Sequence, residues 1–412
     1  MSETGTHAVQ ALVERGVRVH APASVDVAPD VDPARIAPGV VLHAGCRLRG
    51  AATSIGPGCA LGAEAPLTLE NCRLGAGVRL KGGTCTGATF LDRVELGAAA
   101  HVRSGTLLEE EASGGHAVGL KQTILLPFVT LGSLVNFCDC LMAGGTSRRN
   151  HGEVGSSYVH FNFTPHQDKA APSLIGDVPR GVMLDQPPVF LGGQGGLVGP
   201  ARVAYGTVLA AGAILRRDVD RPGRLIVDAG AGTRLDAPYD PVLYGDVSRI
   251  VHNNFLFLGN LLALRAWIRT VRTRLEPGDP YRAACRAGAV EAVERGFADR
   301  LHRLDQLAEK LGRSVAAAAA DPQRNAAAPP YSAQRAFHRA WPAIRDRLTP
   351  ETGADAGAAD RDAFLGALDR QPRASDYLSA VRALPARVKA RGTAWLGAMV
   401  ERVVALEPRE TA

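Results

Sequence analysis

Aliphatic residues recur at every sixth position over much of the first half of the chain. Leu191, Leu197, Val203, Leu209 and Leu215 follow this spacing without interruption. An α-helix repeats every 3.6 residues and a strand every two, so neither explains a period of six by itself. Three short strands per turn of a solenoid do explain it, with one inward aliphatic per hexad and small residues or glycine at the corners. The pattern predicts a triangular prism of stacked parallel strands with an aliphatic interior.

The same spacing occurs earlier in the chain with interruptions. Its members are Ile36, Leu42 and Leu48; Ile55, Leu61 and Leu67; Leu74 and Leu80; and Leu96, Val102 and Leu108. We therefore predict a parallel β-helix over residues 30–225. Residues 1–29 are predicted to be an N-terminal extension with a short helix.

Helical periodicity replaces the hexads in the second half, which we predict to be an α-helical domain over residues 240–412. An apolar stripe there consists of Leu261, Leu264, Ile268, Val271 and Leu275, and Arg265, Arg269 and Arg272 are expected on the opposite, solvent-facing side. Further helices are predicted at 282–312, 332–348, 361–370 and 374–406. We expect this domain to pack against the open end of the solenoid, assist assembly of a trimer, or cover a substrate groove.

Composition narrows the possible partners and compartment. The 412 residues are 46% hydrophobic and 21% charged with a net charge of +6, and basic and acidic residues are interspersed. This distribution argues against nucleic-acid binding. The chain has no unbroken apolar run of membrane-spanning length and no secretory signal, and its seven cysteines are an odd number. We therefore expect a cytoplasmic protein with no membrane partner.

Two segments in addition to the hexads carry a family resemblance. They are GTVLAAGAILRRDV at residues 206–219 and FNFTPHQDK at residues 161–169. Together with the hexads, they resemble the hexapeptide-repeat, left-handed β-helix acyltransferases. Within that family, the chain most resembles the acetyltransferase half of the bifunctional enzyme that makes UDP-N-acetylglucosamine. The nucleotidyltransferase domain of that enzyme is not expected, because residues 1–35 are too few to form it.

The resemblance implies an activity and an assembly. It implies an N-acetyltransferase that uses acetyl-CoA as co-substrate and acts on an amino sugar or sugar phosphate, in UDP-N-acetylglucosamine biosynthesis. It also implies a homotrimer with its active site between neighbouring subunits.

Residues 136–188 depart from the hexad rhythm and contain the densest set of acid and base candidates, so we predict an inserted functional loop there. The resemblance implies that Asn162 orients the acceptor amine and that a nearby lysine, here Lys169, contacts the substrate. His166 and Asp139 are further candidate substrate-binding residues. Lys169 could instead be only a solvated charge, and His166 a residue of the turn-like loop after Pro165 without a binding role.

The position of the catalytic base departs from the family pattern. Counting back from Asn162 to the family's histidine position leads to the segment 137–140, which contains Asp139 and no histidine. Because an imidazole titrates near neutral pH, His151 and His160 are the candidates for this role. Alternatively, His151 is a surface-loop histidine and His160 a strand residue without a catalytic role.

The acyl donor is expected beside the prism, where the resembling family places coenzyme A. The matching small corner residues here are Ser156, Gly193, Ala210 and Ala211. Small residues at these positions could instead serve only to turn the coil. No metal site is predicted, because Cys46, Cys59, Cys72 and Cys85 lie thirteen residues apart, which is not a zinc-ligand spacing. They are expected to be small buried hydrophobic residues.

Two other functions remain open at this stage. One is a non-catalytic β-helix that binds a sugar nucleotide or scaffolds partners through its helical half. The other is a metal-dependent enzyme like the γ-type carbonic anhydrases, with ligands drawn from His116, His151, His160 and His166.

Overall fold

The protein is described by a computed structural model that covers residues 3–159, 169–227, 239–276, 278–322, 324–325, 328–371, 374 and 376–408. Its first half is a parallel β-solenoid whose first sheet has eleven stacked strands, and its second half is helical. The predicted fold class is confirmed. The aliphatics at the six-residue spacing form the core; for example, Leu42, Leu61, Leu80 and Leu96 stack in register and are buried.

The prism has three faces. The strands of the first face are Arg18–Val19, Val41–Leu42, Ala60–Leu61, Arg79–Leu80, Glu95–Leu96, Ser113–Gly114, Thr130–Leu131, Glu153–Val154, Phe190–Leu191, Val208–Leu209 and Leu225–Ile226. The strand Arg18–Val19 lies within the segment 1–29 that the hexad pattern leaves outside the solenoid. An N-terminal helix, α1, precedes it at Glu3–Glu14.

The second and third faces belong to one sheet that is folded at a corner, because the two longest strands, Gly119–Leu125 and Asn136–Met142, cross from one face to the other. The remaining strands of the second face are Asp26–Val27, Arg47–Arg49, Leu67–Glu70, Gly83–Thr86, Ala100–Val102, Tyr158–Val159, Gly196–Leu197 and Ile214–Leu215. Those of the third face are Ser54–Ile55, Arg73–Leu74, Thr89–Phe90, Leu107–Leu108, Ser173–Ile175 and Arg202–Val203.

We name the corners by the faces they join: the first corner joins the first and second faces, the second corner joins the second and third, and the third corner returns from the third face to the first. A short antiparallel hairpin, Gly145–Ser147 with Asn150–His151, projects at the third corner. A short helix, α2 at Val178–Gly181, follows the strand Ser173–Ile175. Single 3₁₀ turns occur at Pro22–Ser24 and Pro33–Arg35.

The helical half lies along the third face. Its helices are α3 at Ser248–Trp267, continued by a π-helical turn at Ile268–Arg272 and α4 at Thr273–Leu275; α5 at Pro280–Ala320; α6 at Pro329–Arg347; α7 at Ala358–Leu368; α8 at Tyr377–Arg382; and α9 at Ala386–Val404. α5 packs against the third-face strands from Ser54 to Leu108, and α3 packs against Ser173–Ile175. In the described part of the chain, no helix is long and apolar enough to cross a membrane.

One expectation about this half is wrong. Arg272 was expected on the solvent-facing side of its helix, but only 1% of its side chain is exposed, whereas Arg269 is exposed. The π-helical turn changes the residue spacing at this point, and Arg272 contacts Glu109 and Glu110 of the solenoid. The buried cation is thus balanced by carboxylates from a different part of the chain.

Candidate functional site

The residues predicted from sequence are distributed over the three corners of the prism. Ser156, Gly193, Ala210 and Ala211 lie at the first corner, Asp139 at the second and His151 at the third. His160, Asn162 and His166 lie outside the described residues. The chain leaves the second face at Val159 and is described again from Lys169, shortly before the third-face strand Ser173–Ile175.

The first corner brings the four residues predicted for the acyl donor into one column. The backbone N–H of Gln194 donates to the carbonyl of Ser156 at 2.7 Å, and that of Gly212 donates to the carbonyl of Gly193 at 2.9 Å. Successive coils are therefore stacked here, with Ser156 and Ala211 exposed. A Cβ on Gly155 would come within 2.5 Å of the backbone nitrogen of Gly193, so this corner admits no larger residue at that position.

The second corner is made by residues with left-handed backbone conformation. Gln122 has φ 48° and Asp139 has φ 53°, and these residues lie where the two long strands bend from one face to the next. Arg300 of α5 reaches this corner and donates from Nη2 to Asp139 Oδ1 at 3.1 Å. With its amide oriented to donate, Gln122 also bonds Asp139 Oδ1, at 2.6 Å. The carboxylate predicted to bind substrate is thus engaged by two side chains of the protein.

Lys169 is joined to the same group. Its backbone carbonyl accepts a hydrogen bond from Nη1 of Arg300 at 2.9 Å, while the residue itself is exposed. The guanidinium also pairs with Asp299. Burial raises the pKa of Asp299, but Arg300 and Arg303 outweigh this effect and leave that pKa below its ordinary value. Arg300 therefore holds together two residues, Asp139 and Lys169, that were predicted separately from sequence.

His151 is at the third corner, in the projecting hairpin. Its Nδ1 lies 2.8 Å from the carbonyl oxygen of Arg148, and its Nε2 lies 3.8 Å from Oε2 of Glu153. Arg148 fixes the hairpin on the prism, since its Nη1 donates to the carbonyls of Glu111 and Phe128. Within one chain, His151 and Asp139 therefore lie at different corners of the prism.

An open groove of about 330 Å³ lies on the second face, between the first and second corners. The outward residues His101, Gly119, Asn136 and Tyr158 occupy successive strands in register. Adjacent strands are roughly 4.8 Å apart. The missing side chain at Gly119 therefore leaves a gap between His101 and Asn136. A Cβ at Gly119 would have Asn136 Oδ1 as its nearest neighbour at 3.9 Å, so the gap is open space.

The groove carries groups suited to an anionic, hydroxylated ligand. Arg103 supplies a cation, Asn136 an amide and Tyr158 a ring that is 66% exposed, and the imidazole of His101 has no hydrogen-bond partner among the described residues. Guanidinium groups match phosphate geometry, and an imidazole can accept a proton near neutral pH. Sequence reasoning missed His101 and Arg103, whose only signal is their outward register on a face that also carries Gly119.

Cys138 at the edge of this face is not a nucleophile candidate. Burial, and then the neighbouring Asp139, raise the pKa of its thiol, although Arg103 acts in the opposite direction. The thiol therefore stays protonated at neutral pH, whereas nucleophilic cysteines require the thiolate. All seven cysteines are buried and free. No group of three His, Cys, Asp or Glu side chains that could hold a metal is found in the described part of the chain.

A second cleft, of about 410 Å³, lies between the third face and the helices α3 and α9. Both of its arginines pair with aspartates of the same cleft: Arg180 with Asp177, and Arg202 with Asp220 at 2.5 Å. These pairs already use the cations that would bind an anionic ligand. The groove on the second face is therefore the stronger candidate.

Comparison with known proteins gives distant relatives for part of the chain. Bifunctional protein GlmU of Pelobacter propionicus is 29% identical over 185 residues, which are 45% of this chain and 36% of that protein. The GlmU of Thermotoga petrophila is 24% identical, covering 51% of this chain and 42% of that protein. The GlmU of Nitratidesulfovibrio vulgaris strain DP4 is 26% identical, covering 56% of this chain and 45% of that protein. The chain thus spans less than half the length of these curated relatives.

The likeness of the chain to a solved structure is weak. A solved structure of LpxA from Acinetobacter baumannii matches with a TM-score of 0.18 and 11% identity, covering 68% of this chain and 95% of that chain. A match at that score supports no residue-level comparison. No protein-family model matches the chain.

Proposed function

Because the chain fits the hexapeptide-repeat acyltransferases, close to the acetyltransferase half of GlmU, we propose that it transfers an acetyl group from acetyl-CoA to an amino sugar or sugar phosphate. The groove on the second face carries this proposal. It combines a histidine, a cation and an amide on the one face that joins the first corner to the second. The acyl donor would run along the first corner, and the acceptor would lie in the groove.

The chemistry requires one base and a group that stabilises negative charge. The acceptor's ammonium must lose a proton before its nitrogen attacks the thioester carbonyl. As the neutral amine attacks, a C–N bond forms and the nitrogen gives a second proton to the base. The C–S bond then breaks and the departing thiolate takes this second proton, while the first is released to solvent. We propose His101 as the base within the groove and Arg103 as the contact for a phosphate of the acceptor. His151 and His160 remain candidate bases, and Asn162 remains the candidate for orienting the amine.

Neighbouring copies of the chain would complete the site. Exposed apolar side chains lie at the first corner and on both sides of it: Leu134 at the corner, Phe190, Val208 and Leu225 on the first face, and Tyr158 and Ile214 on the second. Contiguous exposed apolar residues on a soluble protein indicate an interaction surface. A homotrimer that buries this surface would bring the third corner of one subunit, with His151, toward the second face of the next.

The proposal is tested by incubating the purified protein with acetyl-CoA, a thiol reagent and a panel of amino sugars and amino-sugar phosphates. We expect thiol release that depends on one of these acceptors. Release no faster than background with every acceptor would contradict acyl transfer. Calorimetric titration with coenzyme A and with UDP-N-acetylglucosamine then separates an enzyme from a scaffold, because a scaffold binds neither.

Two pairs of variants locate the site. Gly119→Val should fill the groove and abolish acceptor-dependent release, whereas Ala60→Val, at an outward position on the first face, should leave it unchanged. His101→Gln should lower kcat by about 10²–10⁴ if His101 is the base. The same loss in His151→Gln, with His101→Gln active, would assign the base to the hairpin instead.

A carbonic-anhydrase-like function is not favoured by any observation. Of its proposed ligands, His116 and His151 lie at the first and third corners of one chain, and His160 and His166 are outside the described residues. No relative reported above is such an enzyme.

A further inference from the structure

Two buried side chains of the helical half hold the backbone where the described chain resumes at Lys169. Arg300 of α5 donates to the carbonyl of Lys169 at 2.9 Å, and Asn254 of α3 donates from Nδ2 to the carbonyl of Ala170 at 3.1 Å. Arg300 is 2% exposed and Asn254 is fully buried. Two consecutive carbonyls of the solenoid are thus fixed by two different helices.

The guanidinium that binds Lys169 is itself held in place. Arg300 Nη2 bonds Asp139 at 3.1 Å and pairs with Asp299, and Gln122 links these two carboxylates with bonds of 2.6 and 3.2 Å. Hydrogen bonds between charged groups are stronger than neutral ones, and a planar guanidinium fixes the direction of each of them. The position of the Lys169 carbonyl is therefore coupled to the second corner, at Asp139.

Asn254 has a similarly fixed geometry. Its Nδ2 also donates to the carbonyl of Ile250, one turn earlier in α3, at 2.7 Å. A side-chain amide tied to its own helix has few alternative orientations when it is fully buried. The bond to Ala170 therefore transmits the position of α3 to the backbone beside Lys169.

We propose that Arg300 and Asn254 are positioning residues, which set the place of Lys169 so that its ammonium can contact the acceptor. This inference rests on the proposed acyl transfer, because the role of Lys169 in contacting substrate belongs to that function. The helical half thereby has a role in the proposed reaction. Its side chains fix the backbone at Lys169 and Ala170, while the second face stays open.

The same helix supplies a matched control. Asn260 of α3 is 2% exposed, accepts a hydrogen bond from the backbone N–H of Val178 at 2.8 Å, and donates to the carbonyl of Leu256 at 2.8 Å. It resembles Asn254 in residue type, burial and bonding, but it holds the solenoid backbone at α2 and not at Lys169. Asn260→Ala should therefore cost similar stability without displacing Lys169.

Cleavage by a lysine-specific endoprotease reports the position of Lys169 directly. The chain has five lysines, Lys81, Lys121, Lys169, Lys310 and Lys389, and cleavage after Lys169 requires its carbonyl to leave Arg300. Loss of one hydrogen bond should raise the cleavage rate after Lys169 by about five- to tenfold in Asn254→Ala, because proteolysis follows the population of the open form. Asn260→Ala should match the parent protein. Arg300→Lys, which cannot hold both Asp139 and the carbonyl in one plane, should show a larger increase.

Kinetics test whether this positioning serves the reaction. With the acceptor found for the parent protein, Asn254→Ala should raise KM for the acceptor by about five- to tenfold with kcat little changed, and Asn260→Ala should leave both constants unchanged. Equal KM values in the parent and Asn254→Ala would overturn the proposal, as would equal cleavage after Lys169 in Asn254→Ala and Asn260→Ala. Absence of turnover in the parent with every acceptor would refute acyl transfer and with it the role in substrate contact. The cleavage rates would still establish whether the two side chains fix the backbone.

Discussion

The second and third faces of the prism are built by the same hexads and share two strands. The second face nevertheless carries an open groove, whereas the helical half packs along the third. Outward residues on the second face are largely polar or small, such as Thr84, His101, Gly119 and Asn136. Outward residues on the third face include Leu107, Ile124, Leu141 and Leu174, all buried. From Leu107 to Leu174, apolar outward residues therefore mark a part of the third face that is covered by protein.

The covered face is also where charge is buried. The guanidinium nitrogens of Arg272, between α3 and α4, lie close to three carboxylates. The distances to their oxygens are 3.0 Å for Glu109, 2.6 Å for Glu110 and 3.1 Å for Glu276. Its guanidinium stacks 3.7 Å from the ring centroid of Tyr377. A buried cation is tolerated only when carboxylates neutralise it. This group therefore makes the attachment of the helical half dependent on one arginine.

The largest expected effect in this comparison comes from Arg272→Met. The substitution leaves three carboxylates at a buried site without their shared cation, and we expect the free energy of unfolding to fall by about 3–5 kcal/mol. Urea denaturation measures this change. Arg269→Met, three residues earlier and exposed, should change it by less than about 0.5 kcal/mol. Equal losses in the two variants would show that the buried group does not hold the helices.

A smaller effect on stability is expected from valine substitutions of glycines at the covered and the open face. A Cβ at Gly288 of α5 would overlap Oγ1 of Thr89 and approach Cδ of Arg73 at 2.6 Å. Overpacking of this kind costs about 1–3 kcal/mol. We therefore expect Gly288→Val to be destabilised by that amount, and Gly119→Val, on the open face, to keep the stability of the parent in urea denaturation.

Gly296 in α5 controls for the change in helix propensity, because a Cβ there would have its nearest neighbour, Cδ1 of Leu261, at 3.7 Å. Gly296→Val should therefore be neutral or slightly stabilising. If Gly119→Val were as unstable as Gly288→Val, the second face would not be open in solution.

The repeat made the solenoid predictable, because one inward aliphatic per hexad is a local requirement of each coil. Which face is covered was also present in the sequence: Leu107-Leu108, Ile124-Leu125, Leu141-Met142 and Leu174-Ile175 are adjacent apolar pairs on the third face. Two consecutive apolar residues in a strand indicate burial on both sides. The six-residue spacing marks only the inward member of each pair, so it left open whether the helices pack at the open end of the solenoid, assist a trimer or cover a groove.

The candidate site was less predictable because its contacts join distant parts of the chain. Arg300 is 131 residues from Lys169 and 161 from Asp139, and the helical half contains no motif that marks it. Arg272 was assigned to solvent because a regular helix was assumed, and the π-helical turn altered the spacing. His101 and Arg103 were missed because outward polar residues are ordinary in a solenoid until their neighbour is a glycine.

A further expected effect is a pH dependence that belongs to the covered face. Burial raises the pKa of the Glu109 carboxyl from 4.5 to about 7, Arg272 opposes this effect, and Glu110 and Glu276 add to it. The folded protein therefore keeps a proton that the unfolded chain releases, so the free energy of unfolding should fall as pH rises from about 5 to 7. Glu109→Gln should reduce this slope in urea titrations at a series of pH values, leaving the part that belongs to Glu276 and Asp92, whose pKa values burial also raises. Glu111→Gln, whose partner Arg93 lies at the surface, should retain the full slope. The same slope in Glu109→Gln as in the parent would place the titrating group outside the contact between Glu109 and Arg272, and the covered face would then resemble the open one in its response to pH.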